Sequence, residues 1–124
     1  MGDRKFTRIP IETGAIVQCG DVTAAGGVEN LSLNGMLFRT SQEMDVNKEV
    51  KIKLMLSGPS SKMSLDMNGI VRRRVEDGFG IEFTGMYLDV FFHLKNIIAL
   101  GMGDETKAMQ EFFDFMGEGA PTGE

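Results

Sequence analysis

The sequence holds one cysteine, Cys19, and one histidine, His93, among 124 residues. A single thiol closes no internal disulfide, and no cluster of Cys, His and carboxylate residues has metal-ligand spacing. His93 stands beside Phe92 in a stretch of helical apolar periodicity, where it reads as a packing or surface residue. Ser32 has no evident base, and Cys19 lies in a strand-like run, so an activated nucleophile is missing too. These gaps argue against an enzyme, a bound metal or a cofactor. No apolar run approaches the roughly 18–20 residues that cross a bilayer, so no membrane insertion is expected. The opening Met1-Gly2-Asp3-Arg4-Lys5 has no apolar stretch behind it, and Phe6 breaks the acylation pattern that Gly2 would need. A cytoplasmic location is the expectation.

A broad basic face is also missing. The net charge is −5, yet through Gly103 the basic and acidic residues balance, so the whole excess falls in residues 104–124. No DNA or RNA partner is therefore expected. Arg4, Lys5 and Arg8 make the first eight residues locally basic, which leaves room for a compact anion site.

What is present fits one modest domain. A hydrophobic share of 42% and a charged share of 25% are those of an ordinary globular chain. Short strand-like runs alternate with turn signals. Thr13–Cys19 ends at Gly20-Asp21, and Thr23–Leu31 carries Gly26-Gly27, a pair that suggests a bulge or sharp bend. Met36–Arg39 follows Asn34-Gly35, a dipeptide suited to turns of positive φ. Val50–Leu56 alternates cleanly, and Met63, Leu65 and Met67 alternate again before Ile70-Val71. Asp77-Gly78 marks a hairpin into Phe79–Phe83. Six short strands rich in glycine predict a small antiparallel β-barrel, since closure removes exposed edges. From Tyr87 the period changes to helical, with Phe91, Leu94 and Ile98 on one face and Gly101 and Gly103 ending it. Asp104 then caps a second short helix in which Met109, Phe112, Phe113 and Met116 recur at i, i+3, i+4 and i+7. Residues from Gly117 on read as a disordered tail. The division is thus a barrel with its helix over 1–100 and an extension over 101–124.

Two motifs carry the chemistry. Arg4-Lys5-Phe6-Thr7-Arg8 is an R-x-x-x-R, and Asn30-Leu31-Ser32-Leu33-Asn34-Gly35 is an N-x-S-x-x-G at a strand-to-turn junction. Two guanidiniums four residues apart offer planar donor forks that suit phosphate oxygens or the O6/N7 edge of guanine. Asn30 both accepts and donates, Ser32 adds a hydroxyl, and Gly35 permits the turn and a close backbone approach. Residue chemistry alone reaches a small anion with a polar planar group.

Together and in this order, the motifs resemble the PilZ domain family, in which R-x-x-x-R precedes [D/N]-x-S-x-x-G by some twenty residues. Asn68-Gly-Ile-Val-Arg and Gly78-Phe-Gly-Ile-Glu-Phe also look like that family's closing hairpin, and the resemblance covers about Asp3 to Leu100. It implies a six-stranded barrel with a C-terminal helix and a site for cyclic di-GMP on the barrel's outer surface. On that resemblance, Arg4 and Arg8 hold guanine and phosphate from an N-terminal arm, while Asn30, Ser32 and Gly35 form the matching surface. Within Arg72-Arg73-Arg74, which is otherwise a charged strand end facing water, Arg73 shares parity with Val71 and Val75 and is assigned to stacking on a guanine. Arg39 is either a phosphate contact or a surface charge. Met109, Phe112, Phe113 and Met116 either pack on the rest of the chain or make a homodimer or partner contact. The expected function is a cyclic di-GMP receptor that switches conformation or association with an unidentified protein partner. The alternative is a ligand-independent interaction module of pilus or motility machinery, since some PilZ-like domains bind no ligand.

Overall fold

The computed structural model describes residues 8–57 and 62–102. The Ser57–Ser61 loop from its second residue on, Arg4 and Lys5, the helix expected from Asp104 and the expected tail lie outside them. Six strands follow in chain order: β1 (Ile9–Cys19), β2 (Val22–Ser32), β3 (Gly35–Arg39), β4 (Glu49–Ser57), β5 (Lys62–Val75) and β6 (Gly78–Gly85). One helix, α1 (Leu88–Met102), closes the described chain. The strands form a closed barrel in the order β1-β2-β3-β6-β5-β4, with every neighbouring pair antiparallel. The expected six-stranded antiparallel barrel is the one found.

The core follows from strand parity. In β4, Val50, Ile52 and Leu54 are buried while Lys51, Lys53 and Met55 are exposed, as strict alternation requires. Phe38, Phe79 and Phe91 are among the largest side chains sealed inside, and each contributes roughly 1.5–3 kcal/mol by burial. Phe91, Leu94 and Ile98 of α1 join the same cluster. The helix runs through Gly101 to Met102, short of Gly103, the second of the two glycines expected to end it.

Three expectations about glycine turns are corrected. Among the described residues, positive φ occurs at Gly20, Asn47 and Asp77 only. Gly20 opens the two-residue β1–β2 turn, as a II′ hairpin needs. In the β5–β6 turn it is Asp77, at φ 67, that takes the left-handed conformation, and Gly78 is already in β6. Gly35 likewise starts β3 rather than supplying a left-handed turn. The ladder irregularity of β2 falls between Val28 and Asn30, not at Gly26-Gly27. Gly26 serves a close approach instead, because a Cβ there would lie 2.0 Å from the Arg39 carbonyl oxygen.

Candidate functional site

Arg8 immediately precedes β1, and β1 pairs with β2 from Ile9↔Leu31 and Pro10↔Asn30 onward. That pairing brings the second half of the first motif against the start of the second. The Arg8 guanidinium donates to Asn30 Oδ1 at 2.9 Å, across 22 residues of sequence. Arg8 is therefore half-buried and anchored, not an exposed arm residue. Arg4 lies outside the described residues.

Asn30 reaches the outer face because of a bulge. Val28 pairs with Phe38 and Asn30 with Leu37, so Glu29 is one residue extra in β2. Val28 and Leu31 both point to the core, and Glu29 and Asn30 both stay outside. The same device recurs in β5. Val71 pairs with Ile81 and Arg73 with Gly80, which leaves Arg72 extra. This overturns the parity expected for Arg73: Val71 is buried, but Arg72 and Arg73 are both exposed.

The two bulges lie on one cross-strand row. Asn30 pairs with Leu37, Leu37 with Gly80, and Gly80 with Arg73. Three of the six strand spacings of the ring lie between the ends, about 14–15 Å measured along the curved wall. Between them the floor is half-buried Leu37 and a glycine without a side chain. Arg73 folds over that glycine, since a Cβ at Gly80 would meet its Nε at 3.0 Å and its Cγ at 3.1 Å. The result is a row of residues, a strip along the curved outer wall of the barrel, with hydrogen-bonding groups at both ends.

Ser32 and Gly35 shape this strip from below. Ser32 is buried; its hydroxyl donates to Asn34 Oδ1 at 2.8 Å, with the Gly35 carbonyl at 3.3 Å as a second acceptor. It also accepts from the Asn34 backbone N–H at 3.4 Å. The Asn34 carbonyl in turn accepts from the Phe83 N–H at 2.9 Å, which ties the turn to β6. Gly35 is buried against β6, where a Cβ would come within 2.6 Å of the Ile81 carbonyl oxygen. Its lack of a side chain serves strand packing.

The arginines around the strip differ in what holds them. Arg39 is engaged by Glu29 at 2.8 Å and faces Asp77 at 3.7 Å. Arg72 bonds Glu82 at 2.5 Å. Arg74 bonds Glu43 at 2.5 Å and lies 5.1 Å above the Phe79 ring centroid. The hydrogen bond from Arg74, and then its charge, hold the Glu43 carboxyl below the usual carboxylate range. Arg73 alone of the triplet has no carboxylate partner among the described residues. Leu37 and Gly80 have no mark in the sequence as site residues, because only strand register brings them into the row. His93 is exposed on α1, and no group of three potential metal ligands occurs among the described residues. No described helix is long and apolar enough to cross a membrane.

Comparison with known proteins agrees with this architecture. The sequence profile of the PilZ domain matches residues 3–100. Among solved structures, the Bacillus subtilis inhibitor of motility (MotI/DgrA) is similar, with a TM-score of 0.68 and 12% identity over 84% of this chain. The chain spans 53% of that protein's length. The crystallised PilZ domain of CeSA from a cellulose-synthesizing bacterium is similar too, with a TM-score of 0.58 and 22% identity. That match covers 78% of this chain and 96% of the other. At these identities both likenesses concern the fold. No curated protein sequence matches the chain.

Proposed function

The chain belongs to the PilZ domain family, and on that premise we propose that it is a receptor for cyclic di-GMP which changes shape or protein association on binding. The observation that carries this reading is the hydrogen bond from Arg8 to Asn30. It joins the two motifs on one outer face of the barrel. With Oδ1 of Asn30 engaged by Arg8, its amide NH₂ is left to donate to a guanine O6 or a phosphate oxygen. Arg8, fixed in plane by Asn30, and Arg4, four residues upstream, supply forked donors to phosphate or to a guanine edge. Ser32 and Gly35 act by shaping the turn rather than by touching the ligand. Arg73, at the far end of the strip, stacks on a base or reaches a phosphate.

Arg8 is held by Asn30 beforehand, and binding through Arg4 fastens residues 4–7 to the barrel as well. Fixing backbone costs ~1–2 kcal/mol per residue, and hydrogen bonds to charged groups contribute ~1.5–3 kcal/mol each. Two multidentate arginines therefore offset that ordering, and the fastened segment gives a partner a different surface to read. Calorimetric titration with cyclic di-GMP tests the reading, and two further results are expected from the same assay.

The ligand should be selected by its base. Arginine's fork matches the two acceptors of guanine, whereas adenine places an amino donor where O6 would be. Cyclic di-AMP is expected to bind at least about tenfold more weakly, at about 1.4 kcal/mol per tenfold. Equal affinity for both would show that the arginines read phosphate alone.

The arginines of the strip should also separate. Arg73→Ala is expected to weaken binding by roughly tenfold with an unchanged melting temperature, since loss of one charged contact is worth ~1.5 kcal/mol. Arg39→Ala, already engaged by Glu29, should change affinity by less than about fivefold, as exposed ion pairs contribute ~1 kcal/mol at most. The reverse order would place the ligand on the Arg39 side.

A further inference from the structure

Helix α1 is apolar on two faces. Phe91, Leu94 and Ile98 are buried against the barrel. On the other side, Leu88, Phe92 and Leu100 are 58%, 43% and 84% exposed. These three and Asn96 fall at i, i+4, i+8 and i+12, the row that forms a packing ridge on a helix surface. A helix with apolar residues on both faces is ordinarily covered on both. Just before the ridge, exposed Tyr87 lines a cleft of about 430 Å³ together with Gln18, Lys51, Lys53 and Asn68. Lys53 has Asp66 at 3.3 Å; Lys51 has no ion pair among the described residues. Asp66 lines the same cleft and Asp89 stands in the first turn of α1, so Lys51 is the cation at this end of the ridge without an ion pair among the described residues.

We propose that residues 104–118 of this same chain cover the ridge, running antiparallel to α1, with their acidic end beside the Lys51–Tyr87 cleft. Four observations converge on this occupant. The segment begins within two residues of the end of α1, and such short connections make antiparallel neighbours. Both α1 and the 104–118 segment are fifteen residues long, so a helical segment would retrace the ~22 Å of α1 back to Tyr87. Met109, Phe112, Phe113 and Met116 recur with the spacing of one helix face, and that face has no other assigned counterpart. The segment's second half carries Glu111, Asp114 and Glu118 with no basic residue, which complements Lys51, while Lys53 is held by Asp66. A second copy of the chain would also bury the ridge, but it would not explain why length, direction and charge match in cis.

The test uses the full chain and two independent readouts. In the unmodified protein, amide hydrogen exchange across residues 106–116 should be slowed at least about tenfold relative to an unstructured peptide, because covered backbone exchanges only through opening. Lys51→Glu combined with Lys53→Glu should remove most of that protection. In a Cys19→Ala background, Asn96→Cys with Gln110→Cys should be joined within one chain by a short bismaleimide. The control pair Asn96→Cys with Glu118→Cys should react at least about tenfold more slowly, since its ends are far apart in the antiparallel arrangement. Exchange at the unstructured rate, equal reaction of the two pairs, or links that form only between chains would each overturn the proposal.

Discussion

Arg8→Ala is expected to weaken cyclic di-GMP binding by about a hundredfold, the largest loss of any single contact in the site. Two hydrogen bonds from a charged group are worth ~3 kcal/mol, which is about two factors of ten. Arg8 is also anchored before the ligand arrives, because its guanidinium already donates to Asn30 Oδ1. A preorganised donor loses less freedom on binding than a loose one, so more of its interaction appears as affinity. The same anchoring gives the variant a structural cost. Loss of the bond to Asn30, in a half-buried place, should lower stability by about 1 kcal/mol, or several degrees of melting temperature. Arg8→Lys should keep part of the charge but not the planar fork, and fall between the two. Titration and thermal melting of the three proteins check this. A wild-type affinity in Arg8→Ala would remove Arg8 from the site.

Gly35→Ala, at the one glycine of the two motifs, is expected to damage the fold. The added Cβ would lie 2.6 Å from the Ile81 carbonyl oxygen, a backbone atom that cannot turn aside. β3 and β6 must then part at the point where the Asn34 carbonyl holds the Phe83 N–H. Overpacking of this kind costs about 2–3 kcal/mol, and a domain of this size should lose roughly 8–12 °C in melting temperature. Gly27→Ala is the control. Its nearest neighbour would be the Thr13 carbonyl oxygen at 3.9 Å, so its stability should stay within about 1 kcal/mol of wild type. If Gly35→Ala kept its melting temperature and lost only ligand affinity, the glycine would serve ligand approach rather than strand packing.

These two residues also show which parts of the molecule the sequence discloses. The alternation from Val50 to Leu56 is a local signal, and the buried and exposed residues of β4 follow it. The two motifs are legible as residue types in order, and so is the barrel, from the frequency of turns. Register is different, because it belongs to a pair of strands rather than to one. Asn30 and Arg73 owe their outward positions to one extra residue each, Glu29 and Arg72, and neither insertion carries a mark in its own strand. Parity counted through a bulge comes out reversed, which is why Arg73 was expected beside Val71 and is found on the opposite face. Gly35 and Gly78 present the converse difficulty. Both precede or follow turn-forming residues, so both invite a conformational reading, yet each is needed because a neighbouring carbonyl comes too close for any Cβ.

Arg73 is proposed as a ligand contact for a reason the sequence does not contain. Arg39, Arg72 and Arg74 are each engaged by a carboxylate from another strand or loop. Arg73 is the member of the triplet whose side chain lies across Gly80, in line with Asn30. A row of one asparagine, one leucine, one glycine and one arginine on four neighbouring strands is assembled by the barrel alone.

The central claim is that the joined Arg8–Asn30 face recognises cyclic di-GMP, and calorimetric titration of the full chain tests it most directly. Saturable binding in the micromolar range or tighter, about −8 kcal/mol or below, is the predicted result, with the loss described above in Arg8→Ala. Absence of binding heat at two temperatures, with ligand raised to the millimolar range, would contradict it and favour a barrel that acts through protein contacts alone.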